Sequence, residues 1–381
     1  MLPRLTCVMD QLMDRVSAGN LKITSPWLSS ARNDLAFFFL PVLLALLLTT
    51  LFHHNAIANS PILSLLLLQG FGLAPFHQGV TWFHYFDRTN RTHYTVAKNI
   101  WWAIILPLAI VVLSTGCFFF SPPVFFFVFV LWTIQHIAKQ NVGILLLYHN
   151  HDLNEAVVER DVEVGSVQTA SAMFSFLFLN GVLKQDGPVA MAVHLVIFIT
   201  AIELGYLLLR YGKSLVQQVR EGKSLNAPAL AFWALSILAL APFAFSKDYN
   251  QGLFVALVMH WFQYVGLNGI LVSRKYSDQK NKQALAWQRP LLLFCAVGIL
   301  YAVLAMPVDL LEGTGINPHS WQVRLVAGVV NGFTLAHYFL DAYIWRFREP
   351  FNRTSLLAYL KPRRKSSPTF AFVEEPELAL R

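Results

Sequence analysis

The sequence predicts an all-α fold, a polytopic membrane helix bundle of about ten transmembrane helices with both the N- and C-termini cytoplasmic. Three observations predict it. The 381 residues are 56% hydrophobic and only 13% charged, with a mean hydropathy of +0.50, about half the charged fraction of an ordinary soluble domain. The apolar runs are continuous and helix-length, whereas a membrane β-barrel needs alternating segments of roughly ten residues. The basic residues, finally, cluster in every second connecting segment.

The first thirty residues lack the apolar core of a signal peptide. Leu5, Val8, Leu12 and Val16 recur at helical spacing, with Arg4, Asp10, Asp14 and Arg15 elsewhere on the wheel. Residues 1–33 therefore read as a cytosolic or interfacial amphipathic segment. Residues 34–347 form the bundle, with apolar runs at 35–52, 60–86, 99–120, 123–147, 166–183, 188–209, 226–246, 252–273, 290–306 and 322–345. Ser121-Pro122-Pro123 divides the third run from the fourth, and Asp186-Gly187-Pro188 the fifth from the sixth, each by turn chemistry. Residues 348–381 read as a basic, disordered cytosolic tail in which Lys361, Arg363, Arg364 and Lys365 face anionic headgroups.

Charge orients the bundle. With the N-terminus inside, segments 1–34, 87–98, 148–165, 210–225, 274–289 and 346–381 are cytosolic. Of the 29 Lys and Arg residues, all but Lys139, Lys184, Lys247 and Arg324 fall there, as the positive-inside rule requires. The net charge of +8 thus reads as membrane topology, and no nucleic-acid partner is expected. The expected location is a bacterial inner membrane. Cys7, Cys117 and Cys295 form no close pair, so neither a disulfide framework nor a thiolate cluster is predicted.

Four histidines then stand out. His77, His136, His260 and His337 lie inside four different apolar runs, where ionisable groups are costly and mark functional sites. Each has polar neighbours one or two turns away: His84 and Asp87, Gln140, Gln263, and Asp341. Counted back from the cytosolic ends of the four spans, these side chains occupy depths of about 5 to 20 Å. All four spans run in the same direction, so one layer could gather them. A histidine and a second polar group on adjacent turns of one face suit a metal ligand beside a second ligand or an acceptor for its other N–H. The expected ligands are His77, His84, His136, His260, His337, Asp87 and Asp341. Gln140, Gln263, Lys139 and Glu203 are expected to surround them, with Glu203 also a candidate partner for the Lys139 cation. His149 and His151 fall at the cytosolic interface, His194 near the outer end of its span, and His53, His54, His93 and His319 in loops.

Imidazole with carboxylate suits iron, zinc, copper or nickel. The expected cofactor is non-haem iron, one or two ions, with zinc, copper or haem b as alternatives. An apolar substrate could enter sideways from the bilayer past Trp82, Phe83, Tyr85, Trp261, Tyr264 and Tyr338, with electrons arriving from a cytosolic electron-transfer protein. Membrane lipids and a lipid-like substrate are thus the expected partners. Scattered histidines of this kind resemble, at the level of class, the histidine-rich membrane non-haem iron oxygenases. The plan is more similar to the carotene-cleaving dioxygenases than to the desaturases and hydroxylases, whose His-x-x-x-His and His-x-x-His-His boxes do not occur here. The stretches His136-Ile-Ala-Lys139-Gln140-Asn-Val-Gly143 and His337-Tyr338-Phe-Leu-Asp341-Ala-Tyr-Ile344-Trp345 also resemble an uncharacterised bacterial multi-pass membrane family. The class resemblance implies an oxidative enzyme of oxygenase, hydroxylase or desaturase type. A proton- or ion-coupled transporter and a b-type haem protein, with His136 and His260 as its axial pair, stay open as alternatives.

Overall fold

The computed structural model describes residues 23–54, 73–149, 159–183, 187–244, 249–313 and 320–360. The amphipathic segment over residues 5–16, His151, His319 and the basic cluster at 361–365 lie outside the described residues.

Within the described residues the apolar runs fold mainly as helices, the form in which each backbone N–H and C=O finds its partner within its own segment, and the polar stretch Arg88–Thr95 adds a further short helix. In chain order these are α1 (Leu40–His54), α2 (Leu73–Thr81), α3 (Arg88–Thr95), α4 (Leu106–Phe120), α5 (Pro122–His149), α6 (Arg160–Leu183), α7 (Pro188–Arg220), α8 (Ala227–Leu238), α9 (Tyr249–Lys275), α10 (Pro290–Gly313) and α11 (Trp321–Ile344). A short helix, Ala31–Asp34, and a π-helical turn, Leu35–Phe39, lead into α1, and a second π-helical turn, Trp101–Ile105, leads into α4. Six helices are long and apolar enough to cross a membrane, and α8 and the first part of α10 are shorter apolar helices. The only strands among the described residues are Ile23–Thr24 and Leu225–Asn226, paired in parallel.

Helix α9 is the axis of the bundle. The membrane-length window at Val255–Lys275 is 72% buried, against 6% for that of α7, which packs mainly on α6 and turns Leu195, Phe198, Ile202 and Leu209 outward. Helices α2 and α5 both pack on α9, and α11 packs on both α2 and α5. Two glycine contacts set how closely these helices approach. A Cβ on Gly79 of α2 would meet Tyr301 Cβ at 2.6 Å and Gly298 Cα at 3.0 Å on α10. A Cβ on Gly332 of α11 would meet the Val111 carbonyl oxygen on α4 at 2.9 Å, and one on Gly328 would meet Thr115 Cα at 3.2 Å. The second pair is a small-residue stripe with the spacing that lets two membrane helices touch backbone to backbone.

One end of the bundle is closed by polar ties. Asp34 accepts from the Leu28 and Ser29 backbone N–H groups at 2.6 and 3.0 Å and from Tyr148 at 3.1 Å. The Arg274 guanidinium donates to the carbonyls of Leu28, Tyr359 and Leu360. Residues Pro350–Leu360, expected to begin a disordered tail, are instead helical, with Leu356, Leu357 and Leu360 buried in the main apolar core. Their leucines and the Arg274 ties supply what a purely basic tail lacks, apolar surface to bury and acceptors to offer.

Candidate metal centre

The four helices that carry the intramembrane histidines meet at those histidines. Ring centroids of His77 and His260 are 4.9 Å apart, His77 and His337 5.0 Å, His136 and His260 4.7 Å, and His136 and His337 5.3 Å. All four residues are between 0% and 7% exposed. Two overlapping sets have donor geometry, His77–His260–His337 and His136–His337–Asp341, with the candidate ligand atoms of each set within 4.8 Å of one another. That limit lies a little above the roughly 4 Å between opposed ligands bonded to one ion at 2.0–2.2 Å.

Most of the buried ring nitrogens of the four histidines lack partners. Nε2 of His77, His136 and His337 and both ring nitrogens of His260 are buried with no hydrogen bond. Buried polar atoms are nearly always paired, and several orphans in one place call for a ligand that supplies the missing bond. The other nitrogens of two rings are held in the way a metal-binding imidazole needs. His77 Nδ1–H donates to the Ala74 carbonyl. His337 Nδ1–H donates to Thr81 Oγ1 at 2.6 Å, and the Thr81 hydroxyl donates in turn to Asp341 Oδ1 at 3.3 Å. Tyr264 donates to the same carboxylate oxygen at 2.6 Å and stands 2.7 Å from Thr81 Oγ1. Both assignments leave Nε2 with its lone pair free. Asp341 Oδ2 lies 3.6 Å from His136 Nε2, too far for a hydrogen bond and open to a shared cation. Tyr338 stacks on the His136 ring at 4.3 Å and fixes its plane. The donor set, imidazole with carboxylate and no thiolate, suits iron or zinc.

The structure does not bring every expected residue here. His84 was expected on the His77 face, seven residues on. Helix α2 ends at Thr81, and Trp82–Phe86 follows as a 3-10 helix, whose three residues per turn break the register. His84 Nε2 instead contacts Asn268 Oδ1 at 3.2 Å, eight residues or about 12 Å along α9 from His260. Asp87 is not beside the cluster either. It caps α3 through the Thr89 and Asn90 N–H groups, accepts from Tyr276 at 2.6 Å and pairs with Lys275 Nζ at 2.8 Å. Burial pushes its pKa up, but Lys275, Tyr276 and the backbone donors outweigh burial and hold it below the ordinary carboxylate value. Gln140 donates to the His260 backbone carbonyl at 3.0 Å and to Gln263 Oε1 at 3.2 Å, so the two amides tie α5 to α9 rather than grip an imidazole. Lys139 and Glu203 are both exposed. Lys139 lines a groove between α5 and α6, Glu203 is on α7, and the two do not form an ion pair.

Other histidines have their own settings. His149 Nε2 pairs with the fully buried Glu163 at 2.5 Å, and Tyr211 donates to the same carboxylate at 2.9 Å. His93 stacks on Phe351, and His194 is exposed on α7.

Thr81 and Tyr264 join the site without having been expected as orienting groups, yet a signal for them exists. Each lies four residues after a cluster histidine, the spacing that also places Gln140 after His136 and Asp341 after His337. No family model, curated protein or solved structure matches this chain, so the reading of the site rests on its geometry.

Proposed function

We propose that the chain is a metal-dependent oxidative enzyme of a bacterial inner membrane, acting on a lipid-like substrate at a non-haem iron centre. His77, His136, His260 and His337 would hold the metal, with Asp341 as the carboxylate. The observation that carries this reading is the group of five unpartnered imidazole nitrogens on four helices, buried where an unpaired polar atom is costly. Iron in such a set supplies redox chemistry with oxygen. The protein's own residues do the rest: Thr81 and Ala74 hold two tautomers, Tyr264 fixes the carboxylate, and the surrounding helices exclude water. A haem between His136 and His260 is disfavoured, because His77 and His337 stand beside those two rings at 4.9 and 5.3 Å, where a macrocycle would have to extend.

Ten spans with both termini cytosolic complete the proposal, supported by the alternation of basic segments. Labelling of single cysteines placed at Lys184 and Lys282 tests it: only the first should react with an impermeant thiol reagent from outside intact cells. For the centre, the experiment is metal analysis with an optical spectrum of purified protein. Stoichiometric iron without a Soret band is the expected result. A folded protein that binds no metal would overturn the reading and return weight to transport.

A further inference from the structure

A second polar feature lies on α5, on the stripe next to that of His136 and Gln140. Helices α5 and α6 flank an open groove of about 670 Å³, within the roughly 300–1,000 Å³ of small-molecule sites. Its polar lining is Gln135 and Lys139 from α5 and Gln168, Ser171 and Ser175 from α6, with Trp132 at its wall. Ser175 bonds its own helix backbone. Gln135, Lys139 and Gln168 are exposed to the groove side and make no hydrogen bond or ion pair with any described residue.

The lining is graded. Lys139 is about 15 Å from the His149 end of α5, and Gln168 is about 12 Å from the Arg160 end of α6, so the two share a level. Roughly 16 Å further along α5 is Val128, and Phe176 lies toward the same end of α6. One end of the groove is therefore cationic and amide-rich, while at the other Val128, Leu131 and Phe176 are apolar and the Ser175 hydroxyl is bonded to its own helix. A cation without a partner among the described residues, on a membrane-facing surface, calls for a counter-charge, and the two amides beside it offer hydrogen-bond donors. Among the described residues the neighbouring carboxylates do not supply it. Glu163 is taken by His149 and Tyr211, Asp341 by Tyr264 and Thr81, and Glu203 stands on α7.

We infer that this groove binds an amphiphile with a single anionic head, its carboxylate or phosphate on Lys139 with Gln168, and its chain running toward Val128 and Phe176. The site lies one aromatic layer from the histidines: Trp132 is 6.4 Å from Tyr338, whose ring stacks on His136. The ligand is a substrate awaiting the metal centre or a resident lipid; the two share this chemistry. Binding does not depend on the histidines holding metal, so metal-free protein tests the groove even where the iron reading fails.

The probe is bromostearate, added to metal-free protein in nanodiscs of neutral phosphatidylcholine, with quenching of Trp132 read as the difference between wild type and Trp132→Phe. Saturable quenching is expected. Lys139→Gln should weaken it by about tenfold or more, the worth of one charge-assisted hydrogen bond, and Lys139→Arg should retain it. Methyl bromostearate, the same chain without charge, should bind as weakly as the acid binds Lys139→Gln. Ala172→Trp, which fills the groove while keeping the lysine, should abolish quenching. Equal affinity for acid and ester, or no change in Lys139→Gln, would overturn the inference. So would absent quenching in a wild-type dimer that Lys139→Glu separates, which would assign the lysine to Glu203 of a second copy. Iron-loaded protein incubated with oleate, oxygen and a chemical two-electron donor such as ascorbate distinguishes the sources. Oxidised oleate identifies a substrate and intact oleate a bound lipid, and either supports the site.

Discussion

Thr81→Val isolates the part of the centre that the protein controls most directly. Valine keeps the shape of threonine and removes one hydroxyl. That hydroxyl accepts the His337 N–H at 2.6 Å, donates to Asp341 at 3.3 Å and lies 2.7 Å from the Tyr264 oxygen. Thr81 and His337 are both 0% exposed, so water cannot replace it. The His337 N–H loses its acceptor, at a cost of about 1–3 kcal/mol for an unsatisfied buried donor. Asp341 keeps Tyr264 and loses less. Freed of its acceptor, the imidazole can move its proton to Nε2, the buried nitrogen that has no hydrogen-bond partner. Removing a group that orients a metal-binding histidine lowers affinity about 10–100-fold, or roughly 1.4–2.7 kcal/mol. The assay is competitive titration of ferrous iron or zinc against a chromophoric chelator, alongside thermal unfolding of the apo protein. Thr81→Val should lose stability and metal affinity together, and Thr81→Ser should stay within a few-fold of wild type. Unchanged metal affinity in Thr81→Val would refute the relay. Equal losses in the serine and valine variants would trace the effect to packing of the methyl group.

Three further outcomes are expected. His260→Ala should abolish stoichiometric metal binding, whereas His84→Ala, whose ring contacts Asn268 and packs on Trp345 rather than on the four-histidine cluster, should leave it intact by elemental analysis. Because folding lowers the Asp87 pKa, its stabilisation is complete above the ordinary carboxylate value of about 3.9 and is lost as pH falls through the lower native value; thermal scans of Asp87→Asn should be flatter across that acid range than those of wild type. Removing the carboxylate also leaves Lys275 buried without its partner, costing about 3–5 kcal/mol, and adding Lys275→Met should recover most of it. Gly332→Leu, placed against the Val111 backbone, should destabilise by about 1–3 kcal/mol or more through overpacking, read as a fall in the detergent melting temperature, while Gly143→Leu, with open space around its Cβ position, should not.

The bundle and its four histidines were legible because both leave marks along one dimension. Apolar length announces a span, and a histidine inside it is conspicuous wherever the helix turns. Rotation about the helix axis is a different quantity. On α7 the apolar residues run all round, so sequence gave Glu203 a depth but no direction, and the structure turns it outward. His84 failed for a related reason. Seven residues return to one face only in an α-helix, and the change to 3-10 geometry at Trp82 accompanies contacts with residues far along the chain. Phe86 and Arg88 bond backbone to Ala286 and Ala284, and Asp87 meets Lys275, none of which the local stretch Trp82-Phe-His-Tyr-Phe86 announces. The Asp87 cap was readable in Asp87-Arg-Thr-Asn90, since Asp before a polar turn is an N-cap signal, but a nearby histidine drew the residue into the ligand set instead.

A companion four residues on proves a better guide to rotation than depth does. It holds for each cluster histidine, with Thr81, Gln140, Tyr264 and Asp341. Applied to Glu203 it finds Leu207 and, four residues back, Ile199, which separates that acid from the centre. Applied to Lys139 it finds Gln135, a second polar pair on α5, rotated from His136 and Gln140 by one residue. Two polar stripes on one membrane helix imply two polar surroundings. One is the histidine cluster, and the other is the groove against α6, where the reasoning that proposes a cation among unpaired imidazoles proposes an anion beside a lysine with no ion-pair partner among the described residues.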